Sequence, residues 1–138
     1  MVCIKFTPDG TKIVTASSDN TLKVIDMRSS NTLHSLEHSD LIVPTAISKF
    51  AISPDGQFVV VGGHQGMIFI FNLITGRLEE AYDEEHNVSV LGIDWAPGSA
   101  STIATMDKSG LLYVWKWNIY QLKKNKPNKQ IKGFWGFG

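Results

Sequence analysis

The sequence predicts an all-β chain: a partial β-propeller of about three four-stranded blades, the last incomplete, followed by a basic tail expected to be disordered. Three observations carry this. A motif of turn, strand, tight turn and strand occurs three times, the central strands are apolar on both faces, and charge divides sharply between body and tail. The motif opens at Thr7-Pro8-Asp9-Gly10, at Ser53-Pro54-Asp55-Gly56 and at Ala96-Pro97-Gly98-Ser99. Its prolines stand 46 and 43 residues apart, close to the period of about 40 to 45 residues of a four-stranded propeller blade.

In the first unit Val2, Ile4 and Phe6 alternate as one face of a strand. Pro8 presets φ for the turn, Asp9 bonds its local backbone and Gly10 takes the conformation other residues resist. Strand Ile13 to Ser17 reverses at Asp19-Asn20 and pairs with Thr21 to Asp26, and Asn31 to Leu36 supplies a fourth strand. The second unit begins with a strand at about Ala46 to Ile52. Its Phe58 to Val61 and Met67 to Phe71 are apolar on both faces, so neighbouring sheets must cover them from two directions. Gly76 to Tyr82 reads as its polar rim strand. The third unit runs from about Val90 to Trp115; Gly directly after Pro97 favours a type II turn there, and its fourth strand is missing or weak, with Asn118 to Leu122 the candidate.

Composition sets the class. Residues 1–115 carry 13 acids against 7 Lys and Arg, whereas residues 116–138 carry 6 lysines and no acid. Residues 1–118 are therefore expected to be repeat blades of a larger propeller, and 119–138 a solvated tail. One cysteine, Cys3, makes no internal disulfide and no multi-cysteine metal site, and reads as a small buried residue of a reducing, cytoplasmic protein. No apolar run reaches the roughly 20 residues that cross a bilayer, and the first residues do not begin a signal peptide. Closed propellers have about 4 to 8 blades, so two flanking faces are expected to be bare. Baring them forgoes on the order of 16 kcal/mol at most, as much as a whole domain's stability of about 5 to 15 kcal/mol. The chain is thus expected either to be the C-terminal part of a longer propeller, the favoured reading, or to complete its ring with other copies.

The residues Ser17-Ser18-Asp19-Asn20-Thr21-Leu22-Lys23-Val24-Ile25-Asp26 resemble the strand, turn and terminal dipeptide of the WD-repeat family, with Phe71-Asn72 and Trp115-Lys116 in the same place later and His86 where a blade opens. The resemblance implies a buried structural network of His, Ser or Thr, turn Asp and Trp. Ser17 and Asp19 are its members in the first unit and His86 and Trp115 in the third, so no unit is expected to hold all four. A narrower resemblance, to the last blades of the autophagy-related protein 16 family, rests on Leu22 to Arg28, Ile52 to Gly56, Leu73 to Glu79, His86, Trp95-Ala96-Pro97 and Asp107-Lys108. It implies a protein-binding propeller on a cytoplasmic adaptor, peripheral at autophagosome-forming membranes, that helps direct conjugation of a ubiquitin-like protein to lipid. It also implies a final blade whose last strand comes from the start of the propeller. The basic tail departs from that family.

Candidates for chemistry are few. His34 and His38 have a spacing that some zinc sites use but lack further clustered ligands, so no metal is expected. Gly62-Gly63-His64-Gln65-Gly66 joins two strands and does not open a helix, which makes it a hairpin turn and not a phosphate cradle. Ser17, Asp19 and His86 have the residue types of a hydrolase triad but fall in different blades, so no enzyme and no cofactor are expected. The acids Glu79, Glu80, Asp83, Glu84 and Glu85 read as solvated rim, or as a docking patch for a basic partner segment. Lys123, Lys124, Lys126, Lys129 and Lys132, with Phe134, Trp135 and Phe137, suit an unliganded tail or one that touches anionic membrane or nucleic acid. Protein partners at blade loops and the top face are the main expectation; the alternative is a generic repeat scaffold whose tail binds such anions.

Overall fold

The computed structural model describes residues 3–42, 50–83, 86–99 and 101–116, together with a short strand at 134–135. The first sheet holds β1 (Cys3–Phe6), β2 (Lys12–Ala16), β3 (Leu22–Asp26) and β4 (Thr32–Leu36). The second holds β5 (Phe50–Ile52), β6 (Phe58–Gly62), β7 (Ile68–Asn72) and β8 (Leu78–Tyr82). The third holds β9 (Val90–Trp95), β10 (Thr102–Asp107), β11 (Leu111–Lys116) and β12 (Phe134–Trp135). All neighbours are antiparallel and follow chain order, so each sheet is a meander. The part of the expected second-unit strand before Phe50 lies outside the described residues.

Local chemistry sets the hairpins. In the first turn Gly10 N–H donates to the Thr7 carbonyl, and Asp9 Oδ1 accepts from Thr7 Oγ1, Thr11 N and Thr11 Oγ1. The second turn repeats this with Gly56, Ser53, Asp55 and Gln57. Gly10 and Gly56 both take positive φ, at 71° and 73°, which a side chain would resist. The third turn corrects the type II expectation. Ser99 N–H still donates to the Ala96 carbonyl, yet Gly98 is not among the residues with positive φ. Glycine permits that conformation without requiring it, and this hairpin closes with no left-handed residue at Ser99, where Gly10 and Gly56 supply one in its two counterparts.

Packing follows the period of two. Val59, Val61, Phe69 and Phe71 of the second sheet pack against Val14, Ala16, Leu22 and Val24 of the first. The residues between them, Val60, Ile68 and Ile70, pack against Ile93, Trp95, Ile103 and Trp115 of the third. All of β6 is buried, as an apolar strand covered on both faces must be. Cys3, half-buried, packs at the edge of the first of these cores.

The fourth strand of the third sheet, expected to be missing or weak, is only two residues long. Phe134–Trp135, from within the basic segment, pairs with Leu112 and Leu111 and gives the third sheet a short fourth strand. Lysine density masks it in sequence, because the two residues that pair stand isolated among residues with no strand pattern. The candidate Asn118 to Leu122 and the rest of the tail lie outside the described residues.

Candidate functional site

The polar side chains that the fold buries together belong to the third sheet. Trp115 sits on β11 beside Ile103 and Thr105 sits two pairs further along β10, so both project toward the second sheet, where His86 enters from the connection before β9. Trp115 Nε1 donates to Thr105 Oγ1 at 2.8 Å, Thr105 Oγ1 lies 2.7 Å from His86 Nε2, and His86 Nδ1 lies 2.8 Å from Asp107 Oδ2. An indole N–H only donates and an ionised carboxylate only accepts. The chain of protons therefore runs from Trp115 to Thr105, from the Thr105 hydroxyl to His86 Nε2, and from His86 Nδ1 to Asp107. Asp107 Oδ1 also accepts from Ser109 N at 2.9 Å, Ser109 Oγ at 2.5 Å and Leu111 N at 3.1 Å. Burial pushes the Asp107 carboxyl up, but the hydrogen bonds from Ser109, His86 and Leu111 outweigh it and hold the group below the usual carboxylate range.

This overturns the expectation that no unit holds all four members. His86 and Trp115 are joined by Thr105 and Asp107, two residues sequence reasoning passed over. The reason is an interchange. Thr15 pairs with Lys23 as Thr105 pairs with Tyr113, so the first sheet's Ser17 and Asp19 correspond to Asp107 and Ser109. A search for acid at the place of Asp19 finds Ser109, and the carboxylate stands two residues earlier. Aligning the strands on Thr15 and Thr105 is the signal that would have found it.

Ser17 and Asp19 themselves sit at a hairpin turn. Asp19 Oδ1 accepts from Thr21 Oγ1 at 2.6 Å and from Thr21 N at 3.1 Å, and its carboxyl is held low by the Thr21 hydroxyl first, against the opposing effect of burial. Asn20 takes positive φ at 67° to close that turn. In the second sheet the places of Thr105 and Trp115 are held by Val61 and Phe71, both buried in the core. His38 instead lies against the Phe69 ring, with centroids 5.2 Å apart.

The other sequence candidates are dispersed. His34 Nε2 donates to the Ile74 carbonyl at 2.9 Å, while His38 Nδ1 accepts from Asp40 N, so the two rings serve separate contacts. Residues His64–Gly66 form a 3₁₀ turn between β6 and β7, with Gln65 and Gly66 at positive φ. Gly66 lies so close to the His86 backbone that a Cβ there would overlap its carbonyl group. Glu79 accepts from Asn72 Nδ2 at 3.1 Å; Glu80 is half-buried and its carboxyl is raised, first by burial and then by Glu79. Asp83 is exposed, and Glu84, Glu85 and the five tail lysines fall outside the described residues.

The profile described as "WD domain, G-beta repeat" matches residues 1–26 and 30–72, half of the chain. This chain belongs to the WD-repeat family. Among similar proteins, "Protein Atg16l2" of Homo sapiens is 29% identical over 78% of this chain and 17% of its own length. "Autophagy-related protein 16" of Arabidopsis thaliana is 26% identical over 81% of this chain and 22% of its own length. "WD repeat-containing protein 81" of Homo sapiens is 32% identical over 77% of this chain and 5% of its own length. The chain thus spans well under a third of each of these relatives. The solved "Structure of U3-55K" superposes with a TM-score of 0.77 at 21% identity, over 98% of this chain and 39% of that one, a likeness of fold alone. As in the family at large, these WD-repeat blades form a protein-interaction scaffold, and the buried network fastens the loop before β9 to its sheet.

Proposed function

We propose that this WD-repeat chain is a non-enzymatic interaction module of a cytoplasmic autophagy adaptor, one that helps direct conjugation of a ubiquitin-like protein to lipid on forming autophagosomes. The observation that supports this most is the continuous likeness to Atg16-type relatives from an animal and a plant, over 78% and 81% of the chain. Blade loops and the top face bind protein segments, membrane association is indirect, and the chain performs no chemistry of its own. The likeness to WD repeat-containing protein 81 supports the scaffold role without the autophagy role.

The test is competition in cells. The tagged 138-residue chain, produced in excess in starved cells, is expected to capture proteins of the autophagy conjugation machinery and to reduce their recruitment to forming autophagosomes. Capture of no such protein, with recruitment unchanged, overturns the autophagy reading and leaves the scaffold.

A further inference from the structure

Where the first sheet meets the second, the β2–β3 turn faces the segment that leaves β4. Asp19 and Thr21 of the turn and Glu37, His38, Leu41 and Ile42 of the segment line a cleft of about 490 Å³. That volume lies within the range of about 300–1,000 Å³ in which proteins hold ligands. Both walls are fixed by hydrogen bonds. Thr21 N and Thr21 Oγ1 donate to Asp19 Oδ1, and Asn20 closes the turn at positive φ. On the other wall Leu41 N–H donates to the His38 carbonyl and Asp40 N–H to His38 Nδ1, while the His38 ring rests against Phe69. The Ile42 carbonyl accepts from His64 N of the β6–β7 turn. A cleft held in shape this way needs little ordering to receive a partner.

Its lining is amphipathic. Leu41 is buried in the core between the two sheets, whereas Ile42 is 48% exposed on a segment that is otherwise anchored. Asp19 and Glu37 are exposed, one on each wall, and Asp40 adds a carboxylate 3.8 Å from His38. No lysine or arginine lines the cleft; Lys23 lies on the face of β3 turned away from the second sheet. Among the described residues the Glu37 carboxylate meets neither a cation nor a hydrogen-bond donor. Carboxylates left without a cation repel phosphate backbones and anionic membranes and attract lysine or arginine.

We propose that this cleft docks a basic segment of a partner protein, with a lysine or arginine between Asp19 and Glu37 and an adjoining apolar side chain on Ile42. Such a cation suits both parts of the lining, since its aliphatic stem packs on apolar surface while its charged head reaches the carboxylates. This docking site rests on the scaffold reading and does not depend on the autophagy reading.

Fluorescence polarisation of a short labelled peptide alternating arginine with isoleucine tests it on the full chain. Saturable binding that weakens with added salt is expected, and a counterpart peptide with glutamate for arginine should not bind. Glu37→Lys should weaken binding on the order of tenfold. Ile42→Ser should weaken it too, each variant keeping its β-sheet circular dichroism spectrum because both side chains are exposed. Asp94→Lys makes the same change of charge at an exposed position on the third sheet and should leave binding within about twofold of the parent. No binding by the parent chain, or equal losses for Glu37→Lys and Asp94→Lys, overturns the inference. Peptide binding without capture of conjugation proteins in cells would remove the autophagy reading and leave the cleft; capture in cells without peptide binding would do the reverse.

Discussion

Replacing Thr105 with valine tests the network at its middle. The hydroxyl accepts from Trp115 Nε1 at 2.8 Å and reaches His86 Nε2 at 2.7 Å, so its loss leaves two buried groups unpaired. Each unpaired group costs about 1–3 kcal/mol, and the added methyl returns less than about 1 kcal/mol. The net loss is about 1–5 kcal/mol. Thr15 is the matched control, for it occupies the same place in the first sheet, is buried, and makes no side-chain hydrogen bond with another described residue. Thr15→Val should therefore stay within about 0.5 kcal/mol of the parent. Urea unfolding at one fixed protein concentration, followed by tryptophan fluorescence, measures both. Equal losses for the two variants, or a loss below about 1 kcal/mol for Thr105→Val, would refute the assignment of the network as a stabilising unit.

Acid should weaken the third sheet through Asp107. Its folded pKa lies below its unfolded value, so its contribution is complete above the ordinary carboxylate range and is lost as pH falls through the folded value; Asp107→Asn should show a shallower decline of stability with acid in a pH series of urea midpoints. Gly66→Ala combines positive φ with overlap at the His86 carbonyl and should lower soluble yield and melting temperature sharply, whereas Gly98→Ala, with open space around it, should leave the melting temperature within a few degrees. His34→Ala removes the bond to the Ile74 carbonyl between the first two sheets and should cost about 1 kcal/mol in the same urea assay. If the basic tail carries no anion-binding role, adsorption to anionic vesicles should be weak and flat with salt; steep salt dependence that disappears when residues 119–138 are removed would favour the alternative in which the tail binds anions.

Local signals determined much of this protein in advance. Pro8-Asp9-Gly10 and Pro54-Asp55-Gly56 dictate their turns because the preferences of each residue act within a few bonds. The unbroken apolar run through Phe58 to Val61 requires cover on both faces, since any strand with that pattern would otherwise set half its side chains in water. Folding in three dimensions decided the rest. His86 is linked to Thr105 and Asp107 across 19 and 21 residues, a meeting that the register of β9 with β10 creates and that the exchange of Asp and Ser between the first and third hairpins conceals. The geometry at Gly98 escaped for the opposite reason, because a residue that tolerates every conformation announces none. β12 could not be read either: two residues carry no periodicity of their own, and only the open edge of β11 gives them a partner.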